Sequence, residues 1–220
     1  FKRMLLIPEG RFVAGNGSEV PNRELKMPAF YMDEVPVTYQ EFEFYVAAGG
    51  DKGAYWAYES YHQPMQPVTG LSWYHAADFC NWRSVREGLE PAYQESTETD
   101  AWGHAKWILK PNATGYRLPT EAEFEYAARG GLQGKDYPWG NDFQDDFANY
   151  DTGKGVKNEG WWRLANVTEG KKNAYGLYNM AGNIWHWCND WYGELSATDS
   201  INPQGAADGR VKSLKGGSWG

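Results

Sequence analysis

The residues best placed by type and spacing to do chemistry lie between Asn173 and Trp191, in the run NAYGLYNMAGNIWHWCNDW. Asn179, Gly182 and Asn183 fall where a tight turn is expected, because glycine accepts positive φ and asparagine often does. Such a turn can aim carbonyl oxygens at a hard cation. From Ile184 the pattern alternates as a strand, with Trp185 and Trp187 on one face and Ile184, His186 and Cys188 on the other. His186 and Cys188 make two of the ligands of a soft-metal site, which is too few, so packing is the expected role of that face.

A second group of oxygen donors lies in the polar stretch from Asp136 to Lys172, which holds Asp142, Asp145, Asp146, Asn149, Asp151 and Glu159. No helical or strand period persists there, and long irregular stretches inside compact domains tend to be functional or ion-stabilised. The four histidines, His62, His75, His104 and His186, form no close pair along the chain. Neither a glycine-rich phosphate loop nor a His-Glu-x-x-His pattern occurs. Cys80 and Cys188 are the only cysteines, which excludes a disulfide framework, and each is expected as a buried thiol.

These residues need elements to hold them. Met4 to Ala14 alternates around Pro8-Glu9-Gly10, as a hairpin or a bent strand, and Leu25 to Val35 reads as one extended run. Thr38 with Glu41 fits a capping box for a first helix that ends at Gly49-Gly50. Ser72 caps a second helix with Trp73, Ala76, Ala77 and Cys80 on one stripe and Gly88 as its stop. Thr120 with Glu123 opens a short third helix within Pro119–Arg129, ended by Gly130-Gly131. Leu89 to Thr114 reads as irregular or short-strand structure anchored by Trp102 and Trp107, its polar stretch Glu95 to Asp100 at the surface.

At 220 residues, with 41% hydrophobic and 23% charged, the chain suits one globular domain. Twelve tryptophans and 26 glycines favour a loop-rich fold pinned by large aromatic anchors over a helical bundle. A formal charge of −8 without a basic run argues against nucleic acid as partner. No apolar run reaches the roughly 20 residues of a membrane span. Three Asn-x-Ser/Thr triplets, at Asn16, Asn112 and Asn166, would matter only in a glycosylating host. Compartment stays open, with an extracellular or cell-surface setting favoured.

The run GYRLPTEAEFEYAARGG, Gly115 to Gly131, resembles the formylglycine-generating-enzyme, or sulfatase-modifying factor, family. The family's other pieces follow in order: Met4–Gly10 with Phe12, Pro28–Thr38, Pro67–Trp82, Tyr137–Gly140, Ala148–Tyr150, Asn173–Trp191 and Arg210–Trp219. The resemblance covers nearly the whole chain, 1–220, as a single domain. It implies an α+β, C-type-lectin-like fold, with two main helices beside a small twisted antiparallel sheet and much irregular structure. It also implies that the family's closing strand lies beyond Gly220, so that a chain ending there is expected to leave a sheet edge unpaired and fold poorly.

Such a fold hosts both enzymes and non-catalytic binding proteins, including variable proteins diversified by retroelements. In the oxidase members the working cysteine pair follows Gly-Gly-Ser-Tyr/Trp. Here Gly216-Gly-Ser-Trp219 is followed only by Gly220, and Cys80 and Cys188 are far from the motif. The resemblance therefore points to a non-catalytic scaffold that binds a protein or other macromolecule near Trp185, Trp187, Trp191, Ser218 and Trp219. The alternative is the formylglycine-generating oxidase, its copper-binding cysteine pair lying past residue 220. Calcium is the expected cofactor under either reading. One implied site uses Asn179, the carbonyls of Gly182 and Ile184, and position 186, where His186 replaces the family's glutamate and is expected to weaken the site. The other falls on Asn149 and the Tyr150 carbonyl, with Glu159 and the Trp161 carbonyl.

Overall fold

The structure is a computed structural model, and it describes residues 3–15, 22–53, 63–99, 103, 105–142, 147–150, 164–194, 199–206 and 208–219. Asn16, His62, Trp102, His104, Asp145, Asp146, Asp151, Glu159 and Trp161 lie outside them.

The N-terminal strands form a bent two-stranded ribbon. β1 (Met4–Ile7) pairs antiparallel with β4 (Phe30–Asp33), and β2 (Gly10–Ala14) pairs with β3 (Arg23–Met27). The pair Ile7↔Phe30 is followed by Gly10↔Met27, so one register runs through both halves. Pro8 and Pro28 fall in the gap between them. Proline has no N–H to give to a ladder, so the pairing breaks there while the register survives. Each expected extended run is thus two strands joined by a proline bend. Ile7, Phe12, Leu25 and Met27 turn inward and are buried with Phe124, Tyr126 and Leu177. Tyr126 donates its hydroxyl to the Pro8 carbonyl at 3.0 Å, and a Cβ on Gly10 would stand 2.4 Å from that hydroxyl.

The three helices among the described residues begin at capping boxes. α1 (Tyr39–Ala47) starts after Thr38, whose N–H reaches Glu41 at 2.9 Å while Glu41 N–H returns to Thr38 Oγ1 at 3.2 Å. α2 (Trp73–Arg86) starts after Ser72, where His75 takes the glutamate's place, its Nδ1 accepting the Ser72 N–H at 3.0 Å. α3 (Glu121–Arg129) starts after Thr120 and stops at Gly130, whose φ of +57 supplies the left-handed end. α1 packs on α2 through Phe42, Tyr45 and Phe79, with ring centroids 4.9 to 5.8 Å apart. Burying each such ring contributes on the order of 2 kcal/mol.

Of the two alternatives for Leu89 to Thr114, the structure has strands, β5 (Tyr93–Thr99) paired antiparallel with β6 (Ala105–Leu109), and Trp107 anchors them edge-on to Tyr74. β7 (His186–Trp191) pairs with β8 (Lys212–Lys215). The expected small sheet is therefore a set of two-stranded antiparallel ribbons, and the α+β class stands. Asn173 ties the long irregular segment to α3. Its Nδ2 donates to the Ala127 and Ala128 carbonyls at 2.6 and 3.0 Å, satisfying helix-end acceptors, and its Oδ1 accepts from Tyr175 and Leu177 N–H.

Candidate ligand-binding cavity and amide turn

A cavity of about 750 Å³ opens between β4, α2, the segment 114–119 and the start of β7. Tyr31, Phe79 and Cys80 stand on its walls, and Trp185, Trp187, Ser218 and Trp219 complete them. Its surface is mainly apolar, and the charges in its walls are matched among themselves. Arg83 grips Asp33 at 2.5 and 3.1 Å and lies 3.8 Å from the Tyr116 ring centroid. Arg117 holds Glu123 with two bonds of 2.7 Å. Such a cavity favours an apolar or neutral occupant, because a bare charge would lose its water without gaining a partner.

Four of the five aromatic and polar residues singled out in the sequence meet here. Trp185 is 53% exposed, which leaves its indole available, and Trp187 is pinned by donating Nε1–H to the Leu71 carbonyl at 2.9 Å. Trp219 N–H donates to the Asn183 carbonyl at 3.2 Å, which ties the Gly216–Trp219 turn to the strand entrance. Trp191 does not join them. The β7–β8 register shifts between Trp187 and Trp191, and Trp191 packs beside Lys212, whose Nζ lies 3.9 Å from its ring centroid. Lys212 also sits 4.3 Å over Trp73 and donates to the Asn189 carbonyl at 2.9 Å.

Beneath the cavity lies the turn from Asn179 to Ile184, with Asn183 at its hub. Asn183 Oδ1 accepts from Ala165 N–H at 2.9 Å and from Asn149 Nδ2 at 3.0 Å. Its Nδ2 donates to Asn179 Oδ1 at 2.7 Å and to the Ala165 carbonyl at 3.2 Å. Backbone groups fix every amide orientation, since Ala165 N–H can only donate and its carbonyl can only accept. Asn179 Nδ2 in turn donates to the Val167 carbonyl at 2.6 Å. Asn179 and Asn183 hold φ of +55 and +69, the conformation the sequence assigned to this turn. Asn149, from the second expected calcium set, therefore adjoins the turn of the first through Asn183. Sequence reasoning placed Asn183 in the turn but missed its hub role. No local signal marks that role, because Asn149 and Ala165 reach it from distant stretches.

His186 closes the turn. Its Nε2 lies 2.9 Å from the Asn179 carbonyl, so that nitrogen carries the proton and donates. Phe124 packs on the ring at 5.0 Å between centroids. Burial lowers the imidazole pKa from 6.5 to about 4, against the Asn179 bond, which raises it. Close by, Asp190 accepts from Glu121 N–H at 2.8 Å in the first turn of α3. Burial raises its carboxyl from 3.8 to about 6. These groups oppose each other in acid. Unfolded chains bind a proton at His186 first, so its contribution is complete above pH 6.5 and is lost as pH falls toward 4. Folded protein holds the Asp190 proton more tightly, so that contribution is complete below pH 3.8 and is lost as pH rises through 6. Each is worth on the order of 3 kcal/mol. Chemical denaturation from pH 4 to 6.5 should therefore show stability falling with pH in His186→Gln and rising with pH in Asp190→Asn. The wild type should lie between. Parallel profiles for the two variants would contradict this.

Both thiols are held as thiols. Burial pushes Cys80 up to about 12, and it pushes Cys188 higher still in the core beside Phe124. Among the described residues, no group of three His, Cys, Asp or Glu side chains converges on a point where an ion would sit.

The arrangement of helices, ribbons and a Gly-Gly-Ser-Trp turn has a family. A model of the sulfatase-modifying factor enzyme 1-like domain matches residues 1–220. The chain belongs to that family. The formylglycine-generating enzyme of Bos taurus is 33% identical over 247 residues, covering 99% of this chain and 66% of the relative. The inactive C-alpha-formylglycine-generating enzyme 2 of Bos taurus is 31% identical, covering 98% of this chain and 76% of the relative. Among solved structures, Treponema denticola variable protein 1 superposes with a TM-score of 0.76 at 29% identity, covering 98% of this chain and 83% of that one. It confirms the C-type-lectin-like α+β fold implied by the resemblance. The chain spans between 33% and 82% of the length of curated relatives that it matches. The family thus contains active enzymes, an inactive one and a variable protein, and family membership alone leaves the enzyme question open. No helix among the described residues is long and apolar enough to cross a membrane.

Proposed function

We propose that this chain is a non-catalytic ligand-binding scaffold whose binding surface is the apolar cavity and its rim at Trp185, Trp187, Ser218 and Trp219. The observation that carries this reading is the cavity itself, with an exposed indole at its mouth and its charged groups already paired. Both cysteines support it, because burial keeps them protonated and neither offers the thiolate that a soft metal or a covalent step needs. Its ligand is a protein or other macromolecule presenting an apolar segment, as with a retroelement-diversified variable protein. An extracellular or cell-surface setting suits that role. The kinship with an inactive family member and a variable protein is consistent with it.

Asn149 and Tyr150, with Glu159 and Trp161, are the residues that would hold a calcium ion beside the cavity. Asn149 brings a neutral amide oxygen, a ligand type that calcium accepts, and its Nδ2 is turned to Asn183. The oxidase reading keeps one specific support, the 33% identity to an active enzyme, and it requires cysteines following Trp219. A peptide library screened against the protein should yield binders that lose at least tenfold in affinity with Trp185→Ala or Trp219→Ala. Those binders should be unaffected by Tyr192→Ala, at an exposed tyrosine outside the cavity. Binders insensitive to the first two changes would place the surface elsewhere.

A further inference from the structure

We infer that the turn from Asn179 to His186 is built to stand without a metal ion, the His186 imidazole N–H bonding the Asn179 carbonyl in place of the carboxylate ligand expected from the family resemblance. Three observations converge. First, the Asn179 carbonyl can only accept, so the Nε2 2.9 Å from it must present hydrogen. The electropositive end of an N–H bond thus enters the turn where a ligand carboxylate would have brought negative charge. Second, the ring has no room to swing away. Phe124 covers one side at 5.0 Å between centroids, and the Gly216 backbone lies so near that a Cβ there would stand 2.9 Å from His186 Cδ2. Third, two of the turn's oxygens are engaged within the protein. Asn183 Nδ2 reaches Asn179 Oδ1 at 2.7 Å, and the Gly182 carbonyl accepts from Ile184 N–H at 2.9 Å.

A calcium ion needs six to eight oxygens and tunes its affinity by the carboxylates among them. Asn179, Gly182, Ile184 and His186 supply three neutral oxygens, no carboxylate and one N–H donor. The donor set does not fit the ion. The same geometry explains how the turn persists, since two of the three oxygens that a cation would gather, Asn179 Oδ1 and the Gly182 carbonyl, already have an N–H partner.

The inference predicts that one substitution restores the site. In calorimetric titrations with calcium chloride, His186→Glu should bind one calcium ion more per chain than the wild type, and adding Asn179→Ala should remove it again. Comparing stoichiometries separates this turn from any ion near Asn149. In nitrogen-15 spectra of the wild-type histidines, the His186 Nε2–H signal should be unmoved by calcium, which decides the matter even if the glutamate variant does not fold. A wild type that loses one bound calcium on Asn179→Ala would overturn the inference. So would a calcium-shifted His186 signal, or a folded His186→Glu variant with no added site.

Discussion

Asn183→Ala is expected to destabilise the protein by about 4 kcal/mol. The Asn183 side chain is 1% exposed and uses both donors and both acceptor positions, on Asn179, Ala165 and Asn149. Alanine would leave the Ala165 N–H and carbonyl, the Asn149 amide and the Asn179 oxygen without these partners inside the protein. It would also hold a Cβ-bearing residue at φ of +69, which asparagine tolerates better. Asn183→Gly removes the backbone strain but not the lost bonds, so it should recover only about 1 kcal/mol. Urea denaturation of the three proteins checks both steps. A loss under 1 kcal/mol for alanine would mean that the hub is not the element that joins the turn to the 147–165 segment.

Glu123→Ala should cost nearly as much, about 3 to 5 kcal/mol, for a different reason. Glu123 is 1% exposed, completes the α3 capping box by accepting Thr120 N–H at 2.8 Å, and neutralises Arg117 in the cavity wall. Removing it strands the guanidinium, whose pKa is raised chiefly by that hydrogen bond. Combining it with Arg117→Met should therefore restore at least half of the loss, because the unpaired charge disappears with its partner. Strictly additive costs in the double variant would contradict the pairing. The same experiment bears on binding, since a lone arginine in this wall would change the cavity from neutral to cationic.

What could be read from the sequence divides along physical lines. Capping boxes are written within four consecutive residues, so Thr38, Ser72 and Thr120 marked all three helix starts. The turn at Asn179 to Asn183 was legible for the same reason, through residues that tolerate positive φ. The bend at Pro8 was read as one of two alternatives, but its counterpart at Pro28 was not, because it shows only once the two runs are paired and both prolines fall at one break in the ladder. Alternation from Ile184 suggested a strand, but the strand forms only from His186. The cavity takes Ile184 and His186 into its walls along with Trp185 and Trp187. Alternation could not reveal the register shift that sends Trp191 to Lys212, since that depends on what β8 offers across the ladder. The cavity was invisible in the same sense. Its walls come from β4, α2, the 114–119 segment and β7, and no stretch of sequence shows that their charged members pair with one another.

The most direct test of the non-catalytic reading is to incubate the protein with copper(I), oxygen and a cysteine peptide patterned on a sulfatase site, and to follow the peptide by mass spectrometry. The account predicts that the peptide keeps its thiol, because burial holds the Cys188 thiol and the half-buried Cys80 thiol protonated, so that neither presents the thiolate copper takes. Turnover of the cysteine to the formylglycine aldehyde would contradict it and make the protein an oxidase.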